Sequence, residues 1–258
     1  MDVNVLVSCM NQQDYSIIEK SNLCNVGVVV VNQNTSDESI MTIDKRHLWI
    51  NSKTRGLSVS RNMAIKNSKA DICLISDDDE IFVDNVEQVI KDAYESHPDA
   101  DVIIFKISNF PEKYNNKEKV LNVFDTLKVS SQQISFRKSS VSDIAFDTNI
   151  GAGTPNGAGE ESKFLLECKK RGRKIIYVPA VIGEVVEDSS STWFTGYDEK
   201  FFYNRGRTLR YIYGFFFSLA YGCYDIVSKR KMYREQIKLN TALKLVLKGI
   251  FANDIGGK

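Results

Sequence analysis

The sequence predicts an α/β fold, a Rossmann-like and mostly parallel sheet flanked by helices, with a helical extension at the C-terminus. Three observations carry this. The run Val26-Gly27-Val28-Val29-Val30-Val31 is β-branched without polar alternation, the pattern of a strand covered on both faces. Strand-like runs alternate with stretches of helical spacing from residue 3 to about residue 180. The apolar run 72–75 ends abruptly in Asp77-Asp78-Asp79-Glu80, and three adjacent aspartates repel one another unless a cation or solvent offsets them.

In chain order, residues 3–7 predict a first strand and the valine run a second, with helical spacing around Tyr15, Ile18 and Leu23 between them. Right-handed crossovers bring successive parallel strand ends to one edge, so Met10-Asn11-Gln12 and Asn32-Gln33-Asn34 should converge. The block Arg55-Gly56-Leu57-Ser58-Val59-Ser60-Arg61-Asn62 predicts a helix capped by Ser58. Its free N-terminal amides, flanked by Arg55 and Arg61, suit an anion such as a diphosphate. Residues 72–75 then form a strand, 83–94 a helix and 101–107 another strand, and the polar stretch 110–119 is a surface excursion.

Residues 135–138 predict a short strand, and a glycine-rich run, 151–159, follows it. This run is no dinucleotide fingerprint: it does not follow an N-terminal strand, it contains Pro155, and its spacing is wrong. Glycines here let backbone approach a ligand or make a mobile loop. The run delivers Glu160-Glu161 to the first turn of a helix, where acids complement the dipole and are also placed to serve as a general base. Gly172 ends that helix, and residues 174–179 predict the next strand.

Composition excludes several classes. With 258 residues, one substantial core plus a small appendage is expected. Lys and Arg number 34 against 33 Asp and Glu, so no global field attracts nucleic acid. Cys9, Cys24, Cys73, Cys168 and Cys223 form no CxxC pair, which argues against a zinc site or a disulfide framework. Residues 1–7 lack the features of a signal peptide, and the expected compartment is the cytoplasm.

The strand ending in aspartates, the preceding Gly56-Leu57-Ser58-x-Ser60-Arg61-Asn62, the later Gly159-Glu160-Glu161 and the Gly172…Tyr177-Val178-Pro179 ending resemble, in order and spacing, the family 2 glycosyltransferases of GT-A fold. The likeness is greatest to those of bacterial surface-polysaccharide and capsule assembly. It implies inverting transfer of a sugar, of hexosyl or N-acetylhexosaminyl type, from a nucleotide-sugar donor, commonly a UDP-sugar, to an acceptor hydroxyl. Asp77-Asp78-Asp79 takes the place of the DxD motif, with Mn²⁺ or Mg²⁺ on Asp79 and Asp77, and Asp77 or Asp78 nearer the nucleotide. Donor contacts implied are Met10, Asn11, Asn32, Gln33, Arg55, Gly56, Arg61, Asp77 and Asp78. Asn32 stands where relatives often carry Asp. Glu161 matches the base and Glu160 its neighbour, the family's usual pair being Glu-Asp. Gly157, Gly159 and Trp193 are expected against the acceptor, a carbohydrate or a lipid-linked one. The resemblance places a catalytic domain at 1–195 and a helical region at 196–258.

Where relatives supply a His to the metal, this chain has none, so Glu187 or Asp188 or water would take the position. His47 is expected in packing and His97 on the surface. Residues 211–224 carry no charge and, as one helix, would cover about 21 Å, short of a bilayer core of roughly 30 Å. Two readings stay open for them: packing on the catalytic domain, or peripheral contact with the inner face of the cell membrane, favoured by the flanking Arg and Lys. The competing functions are a sugar nucleotidyltransferase, which should show a glycine-rich basic signature after its first strand, and a catalytically silent carbohydrate-binding or scaffold protein.

Overall fold

The computed structural model describes residues 1–34, 38–154, 156–186 and 196–252. Its chain order is β1 (Val3–Met10), α1 (Ser16–Lys20), β2 (Gly27–Gln33), β3 (Ser39–Thr42), β4 (His47–Ser52), α2 (Leu57–Asn67), β5 (Ile72–Ser76), β6 (Glu80–Phe82), α3 (Val86–Ser96) and β7 (Val102–Ile107). There follow β8 (Lys119–Val120), α4 (Val123–Thr126), β9 (Ile134–Arg137), α5 (Glu160–Lys170), β10 (Ile175–Val185), α6 (Glu199–Tyr213), α7 (Phe215–Ser228), α8 (Arg230–Tyr233) and α9 (Leu239–Ala252). The chain divides into two compact units, Met1–Phe146 with Glu161–Asp188, and Asp147–Glu160 with Ser189–Lys258.

The first unit holds one sheet of order β3-β4-β2-β1-β5-β9-β7-β10-β6, with β8 paired to β10. The expected α/β fold is present and the sheet is mixed. Pairs β1–β2, β1–β5, β2–β4 and β7–β10 are parallel, while β9 runs antiparallel to both β5 and β7. The unbroken valine run has the physical cause expected of it. Val28 and Val30 point to one face, with Val5, Val7, Leu74, Ile90 and Tyr94, and Val29 and Val31 to the other, with Leu6, Ile75, Phe164 and Leu165. Successive side chains of a strand alternate faces, so a sheet with helices on both sides needs apolar residues at every position.

Four details differ from the sequence expectation. Helix α2 starts at Leu57 behind Gly56, whose φ of 108° only glycine adopts readily, and Ser58 is buried in the first turn instead of capping. Strand β10 continues through Pro179 to Val185, with register shifts between Tyr177 and Gly183 where proline cannot donate to the ladder. Residues 110–119 are irregular as expected, but β8 begins at Lys119. The uncharged run 211–224 is not one helix: Gly214, at φ 77°, separates α6 from α7.

The second unit packs α6 against α9 with backbones nearly touching. A Cβ on Gly206 would lie 2.1 Å from the Val246 carbonyl oxygen, and one on Gly249 2.1 Å from that of Tyr203. Phe202, Ile226, Tyr233, Ala242, Val246 and Ile250 form its core.

Candidate active site

Parallel pairing sets Met10 beside Gln33 and Val7 beside Ser76, so the carboxyl ends of β1, β2 and β5 open on one edge. Asn11 takes a positive φ of 54° there, and its N–H donates to the Gln33 carbonyl at 3.0 Å. Asn32, only 1% exposed, grips the next residue from both sides: its Oδ1 accepts from the Gln12 N–H and its Nδ2 donates to the Gln12 carbonyl, each at 3.0 Å. The same Nδ2 reaches Asn51 Oδ1 at 3.1 Å, which also accepts from Trp49 Nε1 at 2.9 Å. A carboxylate at position 32 would face two acceptors with no proton to give. Asn32, expected on the donor, therefore shapes the loop that carries Met10 and Asn11. Gln33 is also buried, donating to the Gly56 carbonyl at 3.2 Å, and Arg55 donates to the Gln33 carbonyl at 3.4 Å. These bonds tie the end of β2 to the N-terminus of α2.

Arg61, expected to flank the diphosphate site, has no exposed surface. One of its guanidinium nitrogens donates to Asp77 Oδ1 at 2.9 Å, and the guanidinium lies over the Phe146 ring at 5.4 Å from the centroid. Ser131 donates to Asp77 Oδ2 at 3.3 Å, and Ser60 binds Ser8 across β1 at 2.8 Å. Asp77 is thus held on both oxygens, while Asp78 is exposed and Asp79 half-buried in the turn between β5 and β6. Glu80 turns inward. Its Oε2 accepts the Asp77 N–H at 3.1 Å, and its Oε1 is buried with no hydrogen-bond partner. Burial, and after it the charge of Asp77, hold the Glu80 carboxyl well above the usual carboxylate range.

The acidic cluster therefore has two layers. Asp77 and Glu80 are fixed by the fold, and the turn also carries the carboxylate oxygens of the exposed Asp78 and the half-buried Asp79. Among the described residues no group of three or more His, Cys, Asp or Glu side chains converges as a metal cage. A Mg²⁺ or Mn²⁺ ion commonly takes one or two carboxylates and completes its shell with phosphate and water. The donor set of the turn fits that mode, in which cation and diphosphate bind together.

In the second unit, the glycine-rich segment is anchored at both ends by α6. Tyr211 donates to Asp147 Oδ2 at 2.7 Å and accepts from Asn149 Nδ2 at 3.2 Å. Gly159, at φ 101°, leaves no room for a side chain: a Cβ would lie 2.8 Å from Ile212 Cδ1 and 3.0 Å from Thr208 Cγ2. Within the segment, the Gly151 N–H donates to the Asn156 carbonyl at 3.0 Å, and Asn156 Nδ2 donates to the Asn149 carbonyl at 3.2 Å. Gly159 thus meets α6 in the way it was expected to meet an acceptor. A Cβ on Gly157 would meet nothing within 4 Å.

Glu160 opens α5 and is 5% exposed, whereas Glu161 is half-buried. Successive helical residues point about 100° apart, which is why adjacent acids differ in access. Trp193, Glu187 and Asp188 lie outside the described residues. Sequence reasoning did not single out Ser131, Asp147 or Tyr211, since nothing local marks a partner that lies 54 or 64 residues away. A cavity of about 890 Å³ lined by Asn62, Lys66, Asp71, Arg137 and Lys138 sits off the other end of β5, roughly 17 Å from the aspartates at strand rise. It takes no part in this site.

Solved structures share the fold. S. aureus TarS 1-349 in complex with UDP-GlcNAc aligns with a TM-score of 0.61 at 14% identity, over 97% of this chain and 82% of that one. Another structure of S. aureus TarS 1-349 gives 0.58 at 15%, over 98% of this chain and 73% of that one. The mannosyltransferase PcManGT from Pyrobaculum calidifontis, in complex with GDP-Man and Mn²⁺, gives 0.52 at 13%, over 99% and 76%. A comparison with curated protein sequences returns no match. The sequence profile described as Glycosyl transferase family 2 matches residues 5–151, more than half of the chain, from β1 through the aspartate turn to the first glycine of the loop, and the chain belongs to that family.

Proposed function

We propose that this glycosyltransferase moves a hexosyl or N-acetylhexosaminyl residue, with inversion, from a UDP-sugar to a hydroxyl of a growing bacterial surface polysaccharide such as a capsule. The observation that carries the reading is the held Asp77: a buried guanidinium and a serine fix its two oxygens at the end of β5, beside an exposed Asp78 and a half-buried Asp79. Preorganised carboxylates of this kind fit a cation shared with a diphosphate. The structural likeness to TarS bound to UDP-GlcNAc supports a uridine nucleotide, and that of PcManGT with Mn²⁺ supports a divalent ion.

In this reading Asp79, with Asp77 behind it, holds Mn²⁺ or Mg²⁺, which when bound offsets the charge of the leaving diphosphate. Arg55 and the N-terminus of α2 behind Gly56 face the same diphosphate. Met10 and Asn11, on the loop that Asn32 fixes, lie along the nucleoside. Glu161 takes the proton of the acceptor hydroxyl. The acceptor oxygen then bonds to the anomeric carbon from the side opposite the diphosphate, and the breaking carbon–oxygen bond leaves its electron pair on the diphosphate. Glu160, buried beside it, sets the direction of the helix turn that carries the base. The acceptor lies along the segment at Gly157, where a Cβ would meet nothing within 4 Å, while Gly159 ties the segment to α6.

Calorimetry tests the metal assignment. UDP-sugar binding should require Mn²⁺ and disappear with Asp79→Ala or with a chelator. Binding that is equal with and without the ion would overturn it.

A further inference from the structure

We propose that the outer face of α7 docks on an anionic lipid surface, so that the second unit rests on a membrane without crossing it. The face is a stripe. Phe216, Ala220, Tyr224 and Val227 follow one another at helical intervals of four, four and three, which keeps them within about 80° of the helix circumference. Phe216 is 85% exposed, Tyr224 67% and Val227 53%, although no charge interrupts residues 211–224. At its N-terminal end the stripe widens: Phe215 contacts both Phe216 and Phe251, at centroid distances of 5.5 and 5.2 Å, and Phe251 at the end of α9 is 66% exposed. Apolar surface of this extent on consecutive turns marks a contact with something apolar.

Charge selects the occupant. Residues 196–252 hold eleven Lys and Arg against four Asp and Glu, in a chain that is nearly balanced as a whole. Of the four acids only Asp225 lies on α7, and it is buried; Asp198, Glu199 and Glu235 are exposed but lie off that helix. Asp225 is buried between Arg205 at 3.0 Å and Lys229 at 2.7 Å, Asp198 caps α6 through the Phe201 N–H at 2.7 Å, and Glu235 pairs with Arg234 at 3.0 Å. Lys229-Arg230-Lys231 follow the stripe directly, and Arg210 lies over Phe215 at its other end, 5.0 Å from the ring centroid. A second copy brought to this face would bring the same positive rim against itself. An apolar stripe between basic ends fits acyl chains below anionic headgroups. At 14 residues α7 is about 21 Å long, and no helix among the described residues is long and apolar enough to cross a membrane, so the helix lies in the interface.

The inference does not depend on the transfer reaction and is tested without it. The full chain is sedimented with phosphatidylcholine vesicles, with and without phosphatidylglycerol, at low and high salt. It should pellet with the anionic vesicles at low salt and be released by salt. Phe216→Ser with Tyr224→Ser should weaken binding about tenfold or more, and Arg230→Gln with Lys231→Gln should do so on anionic vesicles only. These side chains are exposed, so circular dichroism of the variants should match wild type. Protein that stays in the supernatant with anionic vesicles at low salt overturns the proposal, as does unchanged binding by Phe216→Ser with Tyr224→Ser. Lipid-free self-association that these substitutions abolish would assign the face to a second copy instead and equally overturns it.

Discussion

The two units invert the usual rule of burial in opposite directions. At the sheet edge, charge lies inside: Arg61 and Glu80 are buried, and Asp77 is held between Arg61 and Ser131. In the C-terminal helices, apolar surface lies outside, on Phe216, Tyr224 and Phe251. A buried charge is costly unless the fold compensates it, so it marks a place where side chains are fixed before a ligand arrives. An exposed aromatic stripe needs no such support and is complete only against a partner. The difference separates a binding site whose geometry is set from a surface whose affinity comes from area and charge.

Substitutions at the sheet edge should therefore cost stability, and substitutions on the α7 stripe should not. The largest effect is expected from Arg61→Met, which leaves Asp77 facing a buried apolar side chain; urea unfolding should show a loss of about 3 kcal/mol. Asn32→Asp should cost about 1–3 kcal/mol, because its new oxygen would face the Gln12 carbonyl and Asn51 Oδ1, at 3.0 and 3.1 Å from the present nitrogen. If Asn32→Asp is as stable as wild type, the loop after β1 is not held as described. Tyr211→Phe removes the hydroxyl that ties Asp147 and Asn149 to α6, and should cost about 1 kcal/mol. Transfer should fall with it, since the same segment leads to Glu160 and Glu161.

Glu80 gives the smallest and most diagnostic effect. Its folded-state pKa is raised, so the folded chain holds the proton more tightly than the unfolded one. The stability this contributes is present below the ordinary carboxylate value, about 4.3, and is lost as pH rises through the raised one. In metal-free protein, Glu80→Gln should therefore gain thermal stability relative to wild type as pH rises from mildly acidic to mildly basic. A difference independent of pH would contradict an inward, protonated Glu80.

The parts of the fold legible in the sequence were those set by local pattern. The valine run predicted a strand covered on both faces because both cores contact it, and the apolar run ending in aspartates predicted a strand meeting the open edge. Glu160-Glu161 was legible as a helix start for the same reason. What the sequence hid depends on long-range pairing. Arg61 reads as a cation beside an anion at a helix start until β5 brings Asp77 to it, and Glu80 reads as one more acid of the cluster until β6 pairs with Val185. Asn32 reads as a ligand contact because nothing local reveals that both ends of its amide bind Gln12. Gly214 is hidden differently: within an uncharged aromatic run its hydropathy suits a helix, and only its positive φ shows the break.

The central claim is tested most directly by transfer itself. Release of nucleoside diphosphate from a set of nucleotide sugars is measured with Mn²⁺ and a polysaccharide-fragment acceptor, for wild type and Glu161→Gln, alongside calorimetric donor binding. The account predicts acceptor-dependent release by wild type, strongest with a UDP-sugar, and loss of about two to four orders of magnitude in Glu161→Gln with donor binding retained. Transfer by Glu161→Gln at the wild-type rate would contradict the assignment of the base, and acceptor-independent silence of the wild type with every donor would contradict the account as a whole.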